Sequence, residues 1–357
     1  MSKPLVTVLI DTYNHERFIE QAIVSVLEQE FRSDEMEVIV VDDGSTDRTP
    51  EIIRSFAPRV RYLRKPNGGQ ASAFNLGIPE TQGEIVTFLD GDDWWAKSKL
   101  RAVLEVFDQY PDVGIVGHGF YRVDTDGRPL GTVVPEQSYR LHLRSLDGAV
   151  LFDRLKGFLG TSKVAMRRSV LERILPVPEE LVFEADEFLW TSAVAVADAM
   201  VVDQPLFYYR FHGGNFFMFQ QYDEASARRR YQVLASLLKQ LPPRMRALGV
   251  SDALIPVALA SLQVDVDMLR LSLEGGKPWE MFRAERSAYR LAYRQTGAGY
   301  RLFKAVVLAL TLVLPPQRFC QLKRWYTARG FARIRRLVGE PVPATPVVEL
   351  HGAEWRR

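Results

Sequence analysis

Glu84-Ile85-Val86-Thr87-Phe88-Leu89-Asp90-Gly91-Asp92-Asp93-Trp94-Trp95 is an apolar run that ends in three carboxylates, with two indoles behind them. Ile85 to Leu89 has the length and composition of a buried strand. Buried strands do not end in clustered acid for packing reasons, because neighbouring carboxylates repel and each loses hydration. Such a cluster calls for a counter-ion. A divalent cation at the carboxyl end of a parallel sheet supplies one, and open α/β folds keep their ligands at that edge. An acidic turn facing solvent is the competing reading.

The chain on either side repeats the same unit. Val6 to Ile10 is β-branched and apolar, runs into Asp11-Thr12-Tyr13-Asn14, and is followed by Ile19, Ile23, Val26 and Leu27 at helical spacing. The run 37–41 predicts a second strand, ending in Asp42-Asp43-Gly44-Ser45-Thr46-Asp47, and Pro50 opens a helix with Ile52, Ile53 and Phe56 on one face. A third strand is predicted over 60–63, turning through Lys65-Pro66-Asn67-Gly68-Gly69 into a helix over 70–78. Beyond the opening stretch the pattern predicts a helix over 98–110, a strand over 113–117 and a hairpin turning at Asp126-Gly127. Strand, loop and helix alternate with short connections. The class is therefore α/β with a mostly parallel sheet, and every strand carries its polar residues at the carboxyl end.

Residues two apart on an extended segment point to one side, so Asp90 and Asp92 can divide labour between a ribose hydroxyl and a metal. Phosphate-bound Mg or Mn takes only one or two protein carboxylates. At the same edge, Asp43 or its neighbour Asp42 can accept from a base N–H, and Tyr13 can lie against the base. The Asn67-Gly68-Gly69 turn lets backbone approach a diphosphate. A plain turn with a helix N-cap explains Asp42-Asp43-Gly44-Ser45 equally well when it stands alone.

Taken in order, Val41-Asp42-Asp43-Gly44-Ser45-Thr46-Asp47, Asn67-Gly68-Gly69 and Asp90-Gly91-Asp92-Asp93 resemble the inverting, nucleotide-sugar-dependent glycosyltransferases of family 2, over about residues 5–215. The resemblance implies the GT-A fold, a Rossmann-like catalytic domain, and a nucleotide-diphosphate sugar donor at the strand ends. Thr12, Tyr13, Asp42 and Asp43 would hold the nucleotide with Asn67 and Gly68, Asp90 the ribose, and Asp92 a Mn or Mg ion on the diphosphate. Asp11 departs from the Pro or Thr common there, which leaves the identity of the base open. The resemblance also places the catalytic base in an acidic pair ahead of an apolar helix. In Phe183-Glu184-Ala185-Asp186-Glu187-Phe188-Leu189-Trp190, ahead of a helix expected over 191–197, Ala185 replaces the Glu of that pair. The base is then Asp186, with Glu187 behind it; a helix-capping acid is the other reading. Tyr209-Arg210-Phe211-His212 matches a Tyr-Arg-x-His element, which brings His212 to the metal or diphosphate. Trp94 and Trp95 would border the acceptor pocket, with core packing as the alternative for at least one of them.

At 357 residues the chain exceeds one ordinary core. The expected division is a catalytic domain over 1–220, a helical accessory region over 221–340 and a loose tail over 341–357. That helical region includes a stripe of Tyr231, Leu234, Leu237 and Leu238 and apolar-periodic segments over 254–273 and 279–293. Net charge of +2 gives no sign of nucleic-acid binding. A lone cysteine, Cys320, and an N-terminal apolar run too short for a signal peptide lead to the expectation of a cytoplasmic protein, peripheral on the inner membrane face. Ala305 to Leu314 has Thr311 as its only polar residue and is too short to span a bilayer. Arg318, Lys323, Arg324, Arg329, Arg333, Arg335 and Arg336 follow before the first acid, Glu340. An anionic membrane surface over 302–336, serving a glycan or lipid-linked acceptor, fits this pattern. So does a buried helix followed by a solvated one. Two further functions stay open. A sugar-phosphate nucleotidyltransferase wants a glycine-rich loop after the first strand, which Asp11-Thr12-Tyr13-Asn14-His15 lacks; a catalytically inactive nucleotide-sugar-binding module suits Ala185.

Overall fold

The computed structural model describes residues 4–182, 184–212, 224–292 and 298–328. Phe183, Asn215, the basic residues beyond Ala328 and the expected tail lie outside the described residues. The chain divides into two compact units, Met1–His212 with Lys239–Val257, and Gly213–Leu238 with Ala258–Arg357. The segment 239–257, which sequence reading assigns to the helical region, clusters with the first unit.

In the first unit, β1 (Val6–Thr12), α1 (Ile19–Leu27), β2 (Met36–Asp42), α2 (Thr49–Arg54), β3 (Arg61–Arg64), α3 (Gln70–Gly77) and β4 (Ile85–Asp90) form the expected alternation. β3, β2, β1 and β4 lie side by side and run parallel. The interiors of β1, β2 and β4 are buried because helices cover the sheet, which is why β1 and β4 read as continuous apolar runs, while the edge strand β3 stays partly exposed. Val6, Val8 and Ile10 of β1 pack with Ile19, Ile23 and Val26 of α1 in one core cluster.

The chain continues through β5 (Trp94–Trp95), α4 (Lys99–Gln109), β6 (Val113–Asp124), β7 (Pro129–Val133), β8 (Tyr139–Leu141), α5 (Leu146–Leu155), β9 (Val164–Arg167), α6 (Arg168–Ile174), α7 (Ala185–Val196) and β10 (Asp198–Phe211). β9 inserts antiparallel between β4 and β6, β10 runs parallel to β6, and β5 pairs antiparallel with β10. The hairpin at Asp126-Gly127 is present as β6–β7. The strand predicted over 113–117 runs on to Asp124, because beyond Gly117 it pairs with β7 on one side and β10 on the other. β9 and β10 have no clean alternation in sequence, and β10 shifts register around Pro205, where a strand cannot donate. The helix expected from Thr191 starts at Ala185, so Asp186 and Glu187 occupy its first turn instead of preceding it.

α8 (Glu224–Ala247) leads to α9 (Ile255–Ala258), and the second unit holds α10 (Ala260–Glu274), α11 (Pro278–Ala292), α12 (Ala298–Val313) and α13 (Pro316–Ala328). The segment expected to be continuous over 254–273 is thus broken into α9 and α10. Leu271, Met281, Ala284, Phe319 and Cys320 form the second unit's core, with Val307 and Leu314 against it. Glu285 is buried there and pairs with Lys304 at 3.0 Å and Lys323 at 2.7 Å. Among the described residues no helix is long and apolar enough to cross a membrane.

Candidate active site

The carboxyl ends of β1, β2 and β4 form one edge, with Asp11 in register with Asp90 and Thr12 in register with Asp42. The first two loops are strapped together. Asn14, held at φ 56°, donates its N–H to Ser45 Oγ at 2.8 Å and accepts from Thr46 N at 2.8 Å. Glu16 N donates to Asp47 Oδ2 and Arg48 N to Glu16 Oε2, each at 3.0 Å. Thr12 is buried, its Oγ1 3.1 Å from His15 Nδ1, while Tyr13 is 44% exposed beside this strap. Gly91 is required here, since a Cβ would sit 2.5 Å from Thr12 Oγ1.

Asp42 and Asp43 separate clearly. Asp42 is fully buried; its carboxylate accepts from Ser45 N at 2.8 Å and from the Tyr62 hydroxyl at 2.6 Å. It holds its own loop together, which corrects its reading as a nucleotide ligand. Asp43 accepts from Gly68 N at 2.9 Å, Gly69 N at 2.7 Å and Lys65 Nζ at 2.5 Å. The glycine turn therefore reaches Asp43 with the N–H groups expected to face a diphosphate, while Asn67 itself is exposed.

Asp90, Asp92 and Asp93 have different surroundings. Burial, then the charges of Asp11, Asp93 and Asp92, push Asp90 well above the usual carboxylate range; Ser162 Oγ donates to its Oδ2 at 3.1 Å. Burial and the Asp92 charge raise Asp93, whose Oδ1 accepts from Arg210 N at 3.0 Å. Asp92 is half-buried, but the His15 and His212 imidazoles outweigh its lost hydration and hold it below the usual range. His212 Nε2 lies 2.9 Å and His15 Nε2 4.0 Å from Asp92 Oδ2. Arg210 braces this arrangement: Nε donates to Asp92 O at 2.9 Å, one terminal nitrogen to Thr125 O at 2.9 Å and the other to Gln21 Oε1 at 2.5 Å.

Asp186 reaches the edge from the first turn of α7. Thr161 Oγ1 donates to Asp186 Oδ2 at 3.3 Å, Gln70 Nε2 donates to Thr161 Oγ1 at 3.2 Å, and Asp186 N donates to Gln70 Oε1 at 3.3 Å. Burial and the neighbouring Glu187 push the Asp186 carboxyl up. Glu187 pairs with Lys156 at 2.8 Å. Asp11 joins the group: burial, then the charges of Asp186 and Asp92, lift it to about 7. Its Oδ1 is buried without a hydrogen bond.

The two indoles divide as well. Trp95 is 2% exposed in the core, with Lys99 Nζ 3.9 Å from its ring centroid, so it cannot line an acceptor pocket. Trp94 is half-buried, stacked on Tyr208 at 4.9 Å, and Arg210 lies 4.4 Å from its centroid. Sequence reasoning missed Gln70, Thr161, Ser162 and His15. Single polar residues far apart in the chain carry no pattern; only His15, three residues past Thr12 in the first loop, sits where a search of the strand-end loops would find it.

Five carboxyls at one edge, Asp11, Asp90, Asp92, Asp93 and Asp186, with two imidazoles beside Asp92, suit a hard divalent cation that brings phosphate oxygens with it. Among the described residues no group of three or more His, Cys, Asp or Glu side chains is placed to hold a metal by itself.

A family model described as glycosyl transferase family 2 matches residues 7–175. An uncharacterized glycosyltransferase of Nostoc sp. is 32% identical over 225 residues, covering 59% of this chain and 66% of that protein. The uncharacterized glycosyltransferase EpsJ of Bacillus subtilis is 34% identical over 218 residues, 58% of this chain and 61% of that protein. The chain thus spans less than two thirds of either relative. S. aureus TarS 1–349 shares the fold at a TM-score of 0.52 and 18% identity, over 82% of this chain and 93% of that one. Its complex with UDP-GlcNAc matches at 0.52 and 22% identity, over 80% and 88%. Residues 7–175, which carry the GT-A-type sheet and the acidic motifs at its carboxyl edge, are a glycosyl transferase family 2 segment, and the chain is similar to these glycosyltransferases over that part.

Proposed function

We propose that this chain is an inverting glycosyltransferase, moving a sugar from a nucleotide-diphosphate sugar to a hydroxyl of a glycan or lipid-linked acceptor by single displacement. The observation that carries the reading is a division of labour at one sheet edge. Asp92 lies 2.9 Å from His212 and is held below the usual carboxylate range, while Asp186, a separate carboxyl raised by burial, is fixed by Thr161 and Gln70. Asp186 takes the proton of the acceptor hydroxyl as that oxygen bonds to the anomeric carbon. The bond from that carbon to the diphosphate breaks on the opposite side, and the nucleoside diphosphate leaves with the electron pair. Tyr13 and Asp43 hold the base, Asp90 the ribose, and Asn67 lies at the diphosphate, while the N–H groups of Gly68 and Gly69 position Asp43. A Mn or Mg ion on Asp92, with His212 beside it, would neutralise the charge of the leaving diphosphate. The complex of S. aureus TarS with UDP-GlcNAc supports this class of donor. Trp94 borders the acceptor.

The test is release of nucleoside diphosphate from a panel of nucleotide sugars with Mn or Mg. Asp186→Asn should lower kcat roughly 10²- to 10⁴-fold while donor binding persists. A wild-type rate for that variant would remove Asp186 as the base. Absence of donor binding with metal present would remove the whole reading. Retention of anomeric configuration, read by NMR, would exclude single displacement.

A further inference from the structure

We infer that the outward arc of α12 lies in the plane of an anionic lipid surface. This rests on the second unit alone and stands or falls apart from the transfer chemistry. At 100° per residue, Leu302, Val306, Leu310, Leu312 and Val313 fall on one half of the helix. They are 70%, 54%, 38%, 50% and 78% exposed, and Leu322 at 40% extends the patch onto α13. The other half faces protein. Lys304 pairs with Glu285, Thr311 is fully buried and bonded to Leu308 O at 2.6 Å, and Val307 and Leu314 pack on the core. Water-facing helices show the reverse arrangement, polar outside and apolar inside. A contiguous apolar arc of this kind marks an interaction surface.

Charge identifies what covers it. Between Glu285 and Glu340 the chain carries twelve Lys and Arg and no Asp or Glu. Arg301, next to Leu302, and Arg318, at the start of α13, are exposed. A second copy laid on this arc would bring the exposed Arg301 and Arg318 of both copies together, and like charges across an interface are costly. An anionic bilayer satisfies both features at once: the arc enters the boundary between headgroups and acyl chains, and the cations meet lipid phosphates. At 16 residues α12 is about 24 Å long, so it lies on the bilayer and does not span it. Sequence alone left a buried helix as an equal reading; the exposure of Val306, Leu312 and Val313 removes it.

Co-sedimentation of the full chain with phosphatidylcholine vesicles, with and without phosphatidylglycerol, tests the inference. Binding should require phosphatidylglycerol and weaken with salt. The double substitution Val306→Asp and Val313→Asp should lower partitioning about tenfold or more. Both positions are exposed, and unchanged circular dichroism would show that the fold is kept. Arg301→Glu with Arg318→Glu should weaken binding to anionic vesicles without creating binding to neutral ones. Wild-type partitioning by the valine variant overturns the proposal. So does a solution dimer that the valine variant abolishes, with no vesicle binding. Donor binding, measured in parallel without vesicles, separates this outcome from failure of the transfer reading.

Discussion

Gln70 accepts from the backbone of α7 and donates to Thr161, whose hydroxyl in turn donates to Asp186. Three segments far apart in the chain are thereby joined at one carboxylate. A hydrogen bond donated to a carboxylate lowers its pKa, so losing it raises the pKa. Thr161→Val should therefore shift the acid limb of the kcat profile to higher pH, and Gln70→Ala should cost about tenfold or more in kcat with donor affinity unchanged. An unshifted profile would leave Thr161 with packing alone. Asp11 makes a separate prediction. Its folded pKa of about 7 lies above the ordinary 3.8, so the native state holds a proton there that the unfolded chain has released. Stability then falls as pH rises from about 4 to 7, by a ceiling of about 4 kcal/mol. Asp11→Asn should raise Tm over wild type at pH 8, with the gap closing near pH 4; an equal gap at both would show that the carboxyl is not strained.

At the scale of elements, legibility follows from how local the signal is. Asp90-Gly91-Asp92-Asp93 stands out because clustered acid after a buried strand has few structural explanations, and β1, β2 and β4 announce themselves by apolar runs covered on both faces. Asp42 and Trp95 mislead for a physical reason. A carboxylate that closes its own turn and an indole that fills a core have the same composition as ones that face a ligand, and only their partners differ. Thr161 and Ser162 become visible only when β9 inserts next to β4. α11 carries a further prediction. Burial alone would raise Glu285, but the Lys323 and Lys304 ammonium groups outweigh it and hold it at about 2. That contribution, roughly 3 kcal/mol, is fully present above pH 4.5 and is lost as pH falls through 2. Glu285→Gln should lower the denaturation midpoint of the full chain at pH 7. If it does not, the ion pairs are not what joins α11 to α12 and α13.

For the whole molecule, the carboxyl edge of the first sheet is a concentration of acidic groups whose burial and mutual repulsion raise most of their pKa values and which Lys99, Lys163 and the two imidazoles only partly offset. Ligand and metal should act together on stability. Nucleoside diphosphate with Mn at about a hundredfold over Kd should stabilise the protein by about 2.7 kcal/mol, a few degrees in Tm. Chelator should remove most of that gain, and equal shifts with and without Mn would sink the metal assignment.

The strap between the first two loops has a consequence for timing. Asn14, Ser45, Thr46, Glu16 and Asp47 bind one another through groups of the chain itself. The loops flanking Tyr13 and Asp43 are therefore ordered when the chain folds, not when a nucleotide arrives. Association then needs no loop search, so differences in donor affinity among variants of this edge should surface in how long the donor stays, not in how fast it enters.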